Sequence, residues 1–214
     1  DWLTLQKHGV YSSMCNGAEI NLVDGWNEPK NHDTLIKNYL AMIPKVAANG
    51  YKNLICFSGN RRGMTDEQGW KNCKMGLEKI LPAAEKHGVV LHMELLNSKV
   101  DHADYMCDVT SWGAELCRQL GSQNFKLLYD IYHMQIDEGN IISNIQKNIQ
   151  HIGHFHTAGV PGRHEIDDKQ ELNYPAIMNA INELNFKGYV AQEFIPTAKD
   201  KAASLADAIR ICEL

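Results

Sequence analysis

The 214-residue chain has no Cys-x-x-Cys pair, no long apolar run, no excess of positive charge and no glycine-rich phosphate turn. Each absence removes a class of protein. The six cysteines (Cys15, Cys56, Cys73, Cys107, Cys117 and Cys212) are scattered without zinc-finger spacing, so they read as reduced, mostly buried thiols. No run of about eighteen apolar residues occurs, so no membrane-spanning helix is predicted. The net charge of −5 offers no basic footprint for nucleic acid. No signal peptide is visible, and a cytoplasmic location is the favoured expectation. Residue 1 is Asp, so that expectation holds only for the chain as it stands.

What is present suits one soluble domain over residues 1–214, with 44% hydrophobic and 22% charged residues. The chain opens in a helix that Gly9 stops, and residues 10–15 read as a strand. A long polar loop over residues 16–31 follows, of the kind that forms lids or binding loops. Residues 33–48 have helical apolar spacing, and residues 53–58 form the next strand. Thr65 and Gln68 make a capping box for a long helix over residues 66–87, kinked at Pro82 and stopped by Gly88. Strands are predicted over residues 89–96, 126–130, 151–157 and 188–194. Helices are predicted over residues 111–120, 140–149, 174–185 and 199–212. Lys-His-Gly-Val recurs at Lys7 and Lys86, each time at a helix-to-strand joint, a weak repeat of one β/α unit.

Strict alternation implies a parallel sheet with right-handed crossovers. An open nucleotide-binding sheet would carry a glycine-rich turn after its first strand, and Ser-Ser-Met-Cys-Asn-Gly is no such turn. A (β/α)8 TIM barrel instead collects its chemistry at the C-terminal strand ends, where the polar residues of this chain fall. The fold expected is therefore the α/β barrel. Its first strand–helix–strand segment is expected to lie upstream of residue 1.

The strand ends carry the functional signal. A period of two puts His92 and Glu94 on one face, Leu128 and Asp130 on one face, His154 and His156 on one face, and Ala191 and Glu193 on one face. A barrel would bring Glu94, Asp130, His156 and Glu193 to one mouth. Three adjacent carboxylates raise one another's pKa values, and a divalent cation removes that conflict. Three oxygen donors and one imidazole suit one Mn²⁺ or Mg²⁺, with Co²⁺ or Zn²⁺ also possible. His154 reads as a core histidine. His133, one bend past Asp130, is expected to face substrate. Arg163, in the loop after His156, is placed to grip a carboxylate or oxyanion, with Arg61 and Arg62 as weaker candidates. Asn97 and Gln192 are candidates for hydrogen bonds to substrate hydroxyls. Trp26, Trp70 and Trp112 default to packing roles.

Several stretches together resemble the xylose isomerase-like TIM barrels, nearest the hydroxypyruvate isomerases among them. They are Glu94-Leu95-Leu96-Asn97, Asp130-Ile131-Tyr132-His133-Met134-Gln135, Val160-Pro161-Gly162-Arg163, Glu171-Leu172-Asn173-Tyr174-Pro175 and Gln192-Glu193. The resemblance implies that Glu94 and Glu193 are catalytic and also ligate the metal. Asp130 and His156 would complete the metal shell, and His133 and Arg163 would bind substrate. It implies an isomerase that interconverts an aldehyde and a ketone through an enediolate, without a nucleotide cofactor. Hydroxypyruvate is the expected substrate and tartronate semialdehyde the product. At His156 the chain departs toward the sugar epimerases of the family. A ketose 3-epimerase or aldose–ketose isomerase on the same site is therefore the second expectation. An apurinic endonuclease would need several zinc ions and a basic groove, and a non-catalytic barrel would not need the full ligand set. The expected partner is a small hydroxy-carbonyl or sugar substrate, with no nucleic acid or membrane and with a homo-oligomer possible.

Overall fold

The computed structural model describes residues 2–16 and 21–213. Its strands are β1 (Asn53–Cys56), β2 (Val90–Glu94), β3 (Phe125–Asp130), β4 (Ile152–Thr157) and β5 (Tyr189–Gln192). They form one sheet in the order β1-β2-β3-β4-β5, each neighbouring pair parallel. A doubly wound sheet reverses its order at a switch point. Here the order never reverses, as on the wall of a barrel. The outward side chains Leu91, Met93, Leu127, Tyr129 and Phe155 are fully buried, in the apolar core that the helices complete. All six cysteines are free and buried, as expected.

One expected strand is absent. Within residues 10–15 only Cys15 pairs with β1, through a single parallel bridge to Leu54. Its N–H donates to Asn53 O at 2.9 Å and its carbonyl accepts from Ile55 N at 3.0 Å. The Ser12 hydroxyl bonds Met14 O at 2.8 Å, a local contact that competes with extending the ladder. The Tyr11 ring stacks on Tyr189 of β5, with centroids 6.1 Å apart, so the segment reaches from one edge of the sheet to the other.

The helices correct the sequence reading in two places. The single helix expected over residues 66–87 is two, α3 (Asp66–Leu77) and α4 (Leu81–His87), in a series that opens with α1 (Trp2–Lys7) and α2 (His32–Ala48). Pro82 stands in the first turn of α4, where its missing N–H costs nothing, rather than at a kink. Thr65 caps α3 by accepting from Gln68 N at 3.3 Å. After α5 (Thr110–Leu120), β3 runs directly into an unforeseen helix, α6 (Ile131–Asp137), which precedes α7 (Ile141–Asn148). The chain finishes with α8 (Tyr174–Glu183), β5 and α9 (Lys201–Cys212).

The lid or binding loop expected over residues 16–31 includes residues 17–20, outside the described part. Its remainder is pinned to the end of β1. Trp26 N donates to Phe57 O at 3.2 Å and Asn27 N to Ser58 O at 2.8 Å. Gly25 permits that approach, since a Cβ there would run into the backbone of Ser58 and Gly59.

A register shift aims β4 at the barrel interior. Leu127 pairs with Ile152 but Leu128 with His154, so Gly153 is an extra residue in β4. A Cβ on Gly153 would sit 2.6 Å from His92 Cε1, so only glycine leaves room for that ring. Beyond the bulge, His154 and His156 stand level with Leu128 and Asp130.

His92 and His154 are buried in the interior, their ring centroids 6.2 Å apart. His92 Nε2 meets Asn53 Oδ1 at 3.1 Å, whereas neither nitrogen of His154 has a hydrogen-bond partner. Burial pushes both rings down to about 3, and the positive charge of His156 adds to this at each. Both are thus neutral when folded and take up a proton near 6.5 when unfolded. Their contribution to stability is complete above that value and is lost as the pH falls toward 3. Each lowers stability by up to about 1.4 kcal/mol per pH unit across the window. We expect His154→Leu to retain wild-type stability or gain some at neutral pH, because the ring nitrogens it removes are unpaired. Its urea-unfolding free energy should also fall less steeply from pH 6 to pH 4. An unchanged slope would show that His154 is not the neutral buried ring described.

Candidate active site

Glu94 ends β2, Asp130 ends β3, His156 lies near the end of β4, and Glu193 follows β5. Ligand atoms from these four residues all lie within 4.8 Å of one another. Glu94, Asp130 and His156 are buried, while the Glu193 side chain is 42% exposed, so Glu193 forms the open side. A cavity of about 460 Å³ opens onto His156 and Glu193, walled by Leu5, Val10, Tyr11, Met14 and Ile55.

Asp130 serves two purposes. It is the N-cap of α6, and its Oδ1 accepts from Tyr132 N at 2.8 Å and His133 N at 3.3 Å. That leaves Oδ2 for the site, 3.2 Å from Arg163 Nη2 and 3.6 Å from His133 Nε2. The helix start was recoverable from the sequence: an aspartate followed by Ile-Tyr-His-Met is a plain N-terminal signal.

Charge in the cluster is divided unevenly. Burial pushes Asp130 up to about 7, and the Glu94 charge adds to this against the pull of Arg163. Burial also raises Glu94, outweighing its hydrogen bond with His156. Glu193 goes the other way: burial opposes it, but His156 and Arg163 hold it down to about 2. His156 Nδ1 stands 3.2 Å from Glu94 and 2.9 Å from Glu193. Burial disfavours its charge, yet the hydrogen bonds to Glu193 and Glu94 push it up to about 10.

Arg163 reaches the cluster from the loop after β4. Its Nη2 bonds Glu193 Oε2 and Asp130 Oδ2, and its guanidinium carbon lies 5.5 Å from the centre of the Tyr132 ring. The residue is left-handed, with φ of 60°, a conformation that costs about 1 kcal/mol or more outside glycine. The chain secures it by lacing this loop to the one after β5. Ile195 N donates to Arg163 O at 2.6 Å, and His164 Nδ1 donates to Ile195 O at 3.0 Å. Glu165 accepts from Thr197 N at 2.6 Å, Ala198 N at 2.9 Å and Thr197 Oγ1 at 2.9 Å. A second pocket of about 430 Å³, lined by Val100, Tyr132, Val160, Pro161 and Ile195, flanks Arg163.

The other candidates fall elsewhere. Asn97 is fully buried, and its side-chain hydrogen bonds go to Asp101, His133 and the N–H groups of Val100 and Asp101. Gln192 accepts from the Thr157 hydroxyl at 2.8 Å, on the opposite face of β5 from Ala191 and Glu193. Arg61 pairs with Asp66 at 2.6 Å, and Arg62 pairs with Asp24 and Glu28. Three residues near the site escaped the sequence reading: Tyr132, Asp101 and His102. Tyr132 was visible as the middle of Asp130-Ile131-Tyr132-His133, but its place beneath Arg163 depends on α6. Asp101 and His102 lie in a loop, where no periodicity indicates direction.

The donor set fits a divalent ion. Three carboxylates and an imidazole within one coordination sphere's reach are the hard-oxygen and nitrogen ligands such ions take.

The xylose isomerase-like TIM barrel family model matches residues 4–212. A 2-oxo-tetronate isomerase of Cupriavidus necator is 36% identical over 120 residues, covering 56% of this chain and 45% of that protein. A putative hydroxypyruvate isomerase of Danio rerio is 31% identical over 118 residues, covering 55% of this chain and 43% of its own length. The chain thus spans less than half the length of these two relatives. Among solved structures, an AP endonuclease, family 2, from Brucella melitensis superposes with a TM-score of 0.87 at 21% identity, over 98% of this chain and 81% of that one, a likeness of fold. A 2-oxo-tetronate isomerase of Pectobacterium atrosepticum is 31% identical over 207 residues, covering 91% of this chain and 76% of that protein. With a match that runs from the first helix to the last, the chain belongs to the xylose isomerase-like TIM barrel family.

Proposed function

We propose that the protein is a divalent-metal-dependent isomerase that moves a carbonyl between neighbouring carbons of a short hydroxy-oxo acid. Hydroxypyruvate, giving tartronate semialdehyde, is the favoured substrate. The observation that carries this reading is the convergence of Glu94, Asp130, His156 and Glu193 within 4.8 Å, with the Arg163 guanidinium beside them. Relatives named for hydroxypyruvate and 2-oxo-tetronate support an acid substrate.

Glu94, Asp130, His156 and Glu193 would hold the ion. When bound, it supplies Lewis-acid polarisation of adjacent carbonyl and hydroxyl oxygens, which acidifies the intervening C–H bond. The remaining work falls to side chains. Arg163 receives the substrate carboxylate in a planar fork. Glu193 is ionised and faces the open cavity, so it accepts the carbon-bound proton. Glu94, the other carboxyl in contact with His156 Nδ1, is the partner that delivers a proton to the neighbouring carbon. In net terms one C–H proton moves from C3 to C2 and one O–H proton moves from O3 to O2, so no redox partner is consumed.

A ketose 3-epimerase is the second reading, favoured by the histidine at position 156. It would use the same glutamates but return the proton to the carbon it left, on the opposite face. A panel of hydroxypyruvate, tagatose, fructose and xylose assayed with Mn²⁺ separates the two. Turnover of hydroxypyruvate with inert sugars is the expected result, and turnover of tagatose or fructose alone would replace the first reading by the second.

Asp130→Ala should abolish stoichiometric metal after dialysis. In the wild type, affinity should fall as the pH drops below about 10 and more steeply below about 7, because the proton on His156 and then one on Asp130 compete with the ion. Calorimetry in buffers of different pH reads both effects, and wild-type metal content in Asp130→Ala would remove this ligand set.

Glu94→Gln and Glu193→Gln keep size and one oxygen donor but lose the carboxyl that delivers or accepts the proton. Each should lower kcat by ~10²–10⁴-fold at full metal loading, with a smaller change in KM. Near-wild-type kcat in both metal-replete variants would take the glutamates out of the chemistry.

Arg163→Lys should raise KM for hydroxypyruvate more than kcat falls, since lysine has no bidentate fork. Equal loss with a neutral sugar would show that Arg163 does not recognise a carboxylate.

A further inference from the structure

The orientation of the Asn97 amide is settled by its surroundings. Its Oδ1 accepts from two backbone donors, Val100 N at 3.0 Å and Asp101 N at 2.9 Å. The opposite atom is therefore the NH₂ group, and it too is doubly engaged. Nδ2 lies 2.7 Å from Asp101 Oδ2 and 2.7 Å from His133 Nδ1. Exchanging the amide atoms would face oxygen to a carboxylate oxygen and NH₂ to two N–H groups, so only one assignment satisfies all four contacts. Asp101 is held in its turn by the Tyr132 hydroxyl, which donates to Oδ2 at 2.8 Å.

This has a consequence for the imidazole. An NH₂ donor against Nδ1 requires that nitrogen to be the unprotonated acceptor. The other candidate partner for an Nδ1 proton, Asp101 Oδ2, is 4.0 Å away, beyond hydrogen-bond reach. The proton of the neutral ring therefore sits on Nε2. That atom is buried, has no hydrogen-bond partner, and stands 3.6 Å from Asp130 Oδ2, inside the candidate site.

We infer that Asn97 is a positioning residue, not a substrate contact: it holds His133 in the tautomer with its proton on Nε2, aiming one fixed N–H donor at an oxygen of the substrate. The oxygen it faces must be an acceptor: a carbonyl, a carboxylate or an oxygen gaining negative charge. A donor held still by a second residue spends nothing on reorientation as that charge develops. Only this last step, that the oxygen belongs to an isomerising substrate, rests on the function proposed above. The tautomer itself does not.

The test reads the two separately. Long-range ¹H–¹⁵N spectra of ¹⁵N-histidine-labelled protein in Mg²⁺ buffer, with His133 assigned by comparison with His133→Gln, report which nitrogen carries the proton. The wild type should show an unprotonated Nδ1 and a protonated Nε2. Asn97→Asp replaces the donor by an acceptor of the same size, and should move the proton to Nδ1 or give a doubly protonated ring. The same variant should lose ~10–100-fold in kcat/KM for hydroxypyruvate, in the range typical of residues that orient a functional group. A wild-type ring protonated on Nδ1 would overturn the inference, and needs no variant to fold. So would an Asn97→Asp protein with its tautomer switched and its activity intact. If the wild type turns over none of the panel yet shows the Nε2–H ring, the proposed substrate fails and the positioning role of Asn97 stands.

Discussion

Three carboxylates held close together, two of them out of water, are the constraint on which the rest of this structure depends. Left alone, Glu94, Asp130 and Glu193 would repel and drive one another toward the protonated form. The fold answers with two cationic groups of its own, His156 between the glutamates and Arg163 between Glu193 and Asp130. It adds two backbone N–H donors from the first turn of α6 to Asp130. Each compensation comes from a different element, so the site exists only where β2, β3, β4, α6 and the two loops after β4 and β5 meet. The glycine bulge in β4 belongs to the same solution, because it sets His156 level with Asp130.

The cluster itself was legible in the sequence because it depends on strand periodicity. In β2 and β3 alternate side chains share a face, so an acid at the end of an apolar run points where its even-numbered neighbours point. Glu94 and Asp130 could be placed inside on that ground alone. The same count placed His156 correctly, since the bulge at Gly153 precedes it in β4. Gly88 and Gly121, each in the left-handed conformation, were readable as helix stops for the same local reason.

What was not legible depends on contacts between distant residues. Residues 10–15 have strand-like composition, but one bridge forms, because Ser12 turns the chain toward its own backbone. The break between α3 and α4 was read one turn too late, since a proline in a first turn and a proline at a kink look alike in sequence. Asn97 shows the limit most clearly. Its polarity and its place just past a strand end suggested a substrate contact, whereas its four partners come from the following turn and from α6. Side-chain direction in a turn has no period to read.

The lacing of the loops after β4 and β5 also bears on how such a site can change over generations. Arg163 and Glu193 are thirty positions apart, yet their backbones are tied by Ile195, His164, Glu165, Thr197 and Ala198 into one slab. A substitution in either loop shifts the footing of the other, so changes that alter which molecule fits will be strongly epistatic across the pair. A lineage exploring new substrates would have to pass through paired replacements there, while the second pocket beside Arg163, bordered by Val100 and Pro161, could be reshaped one residue at a time.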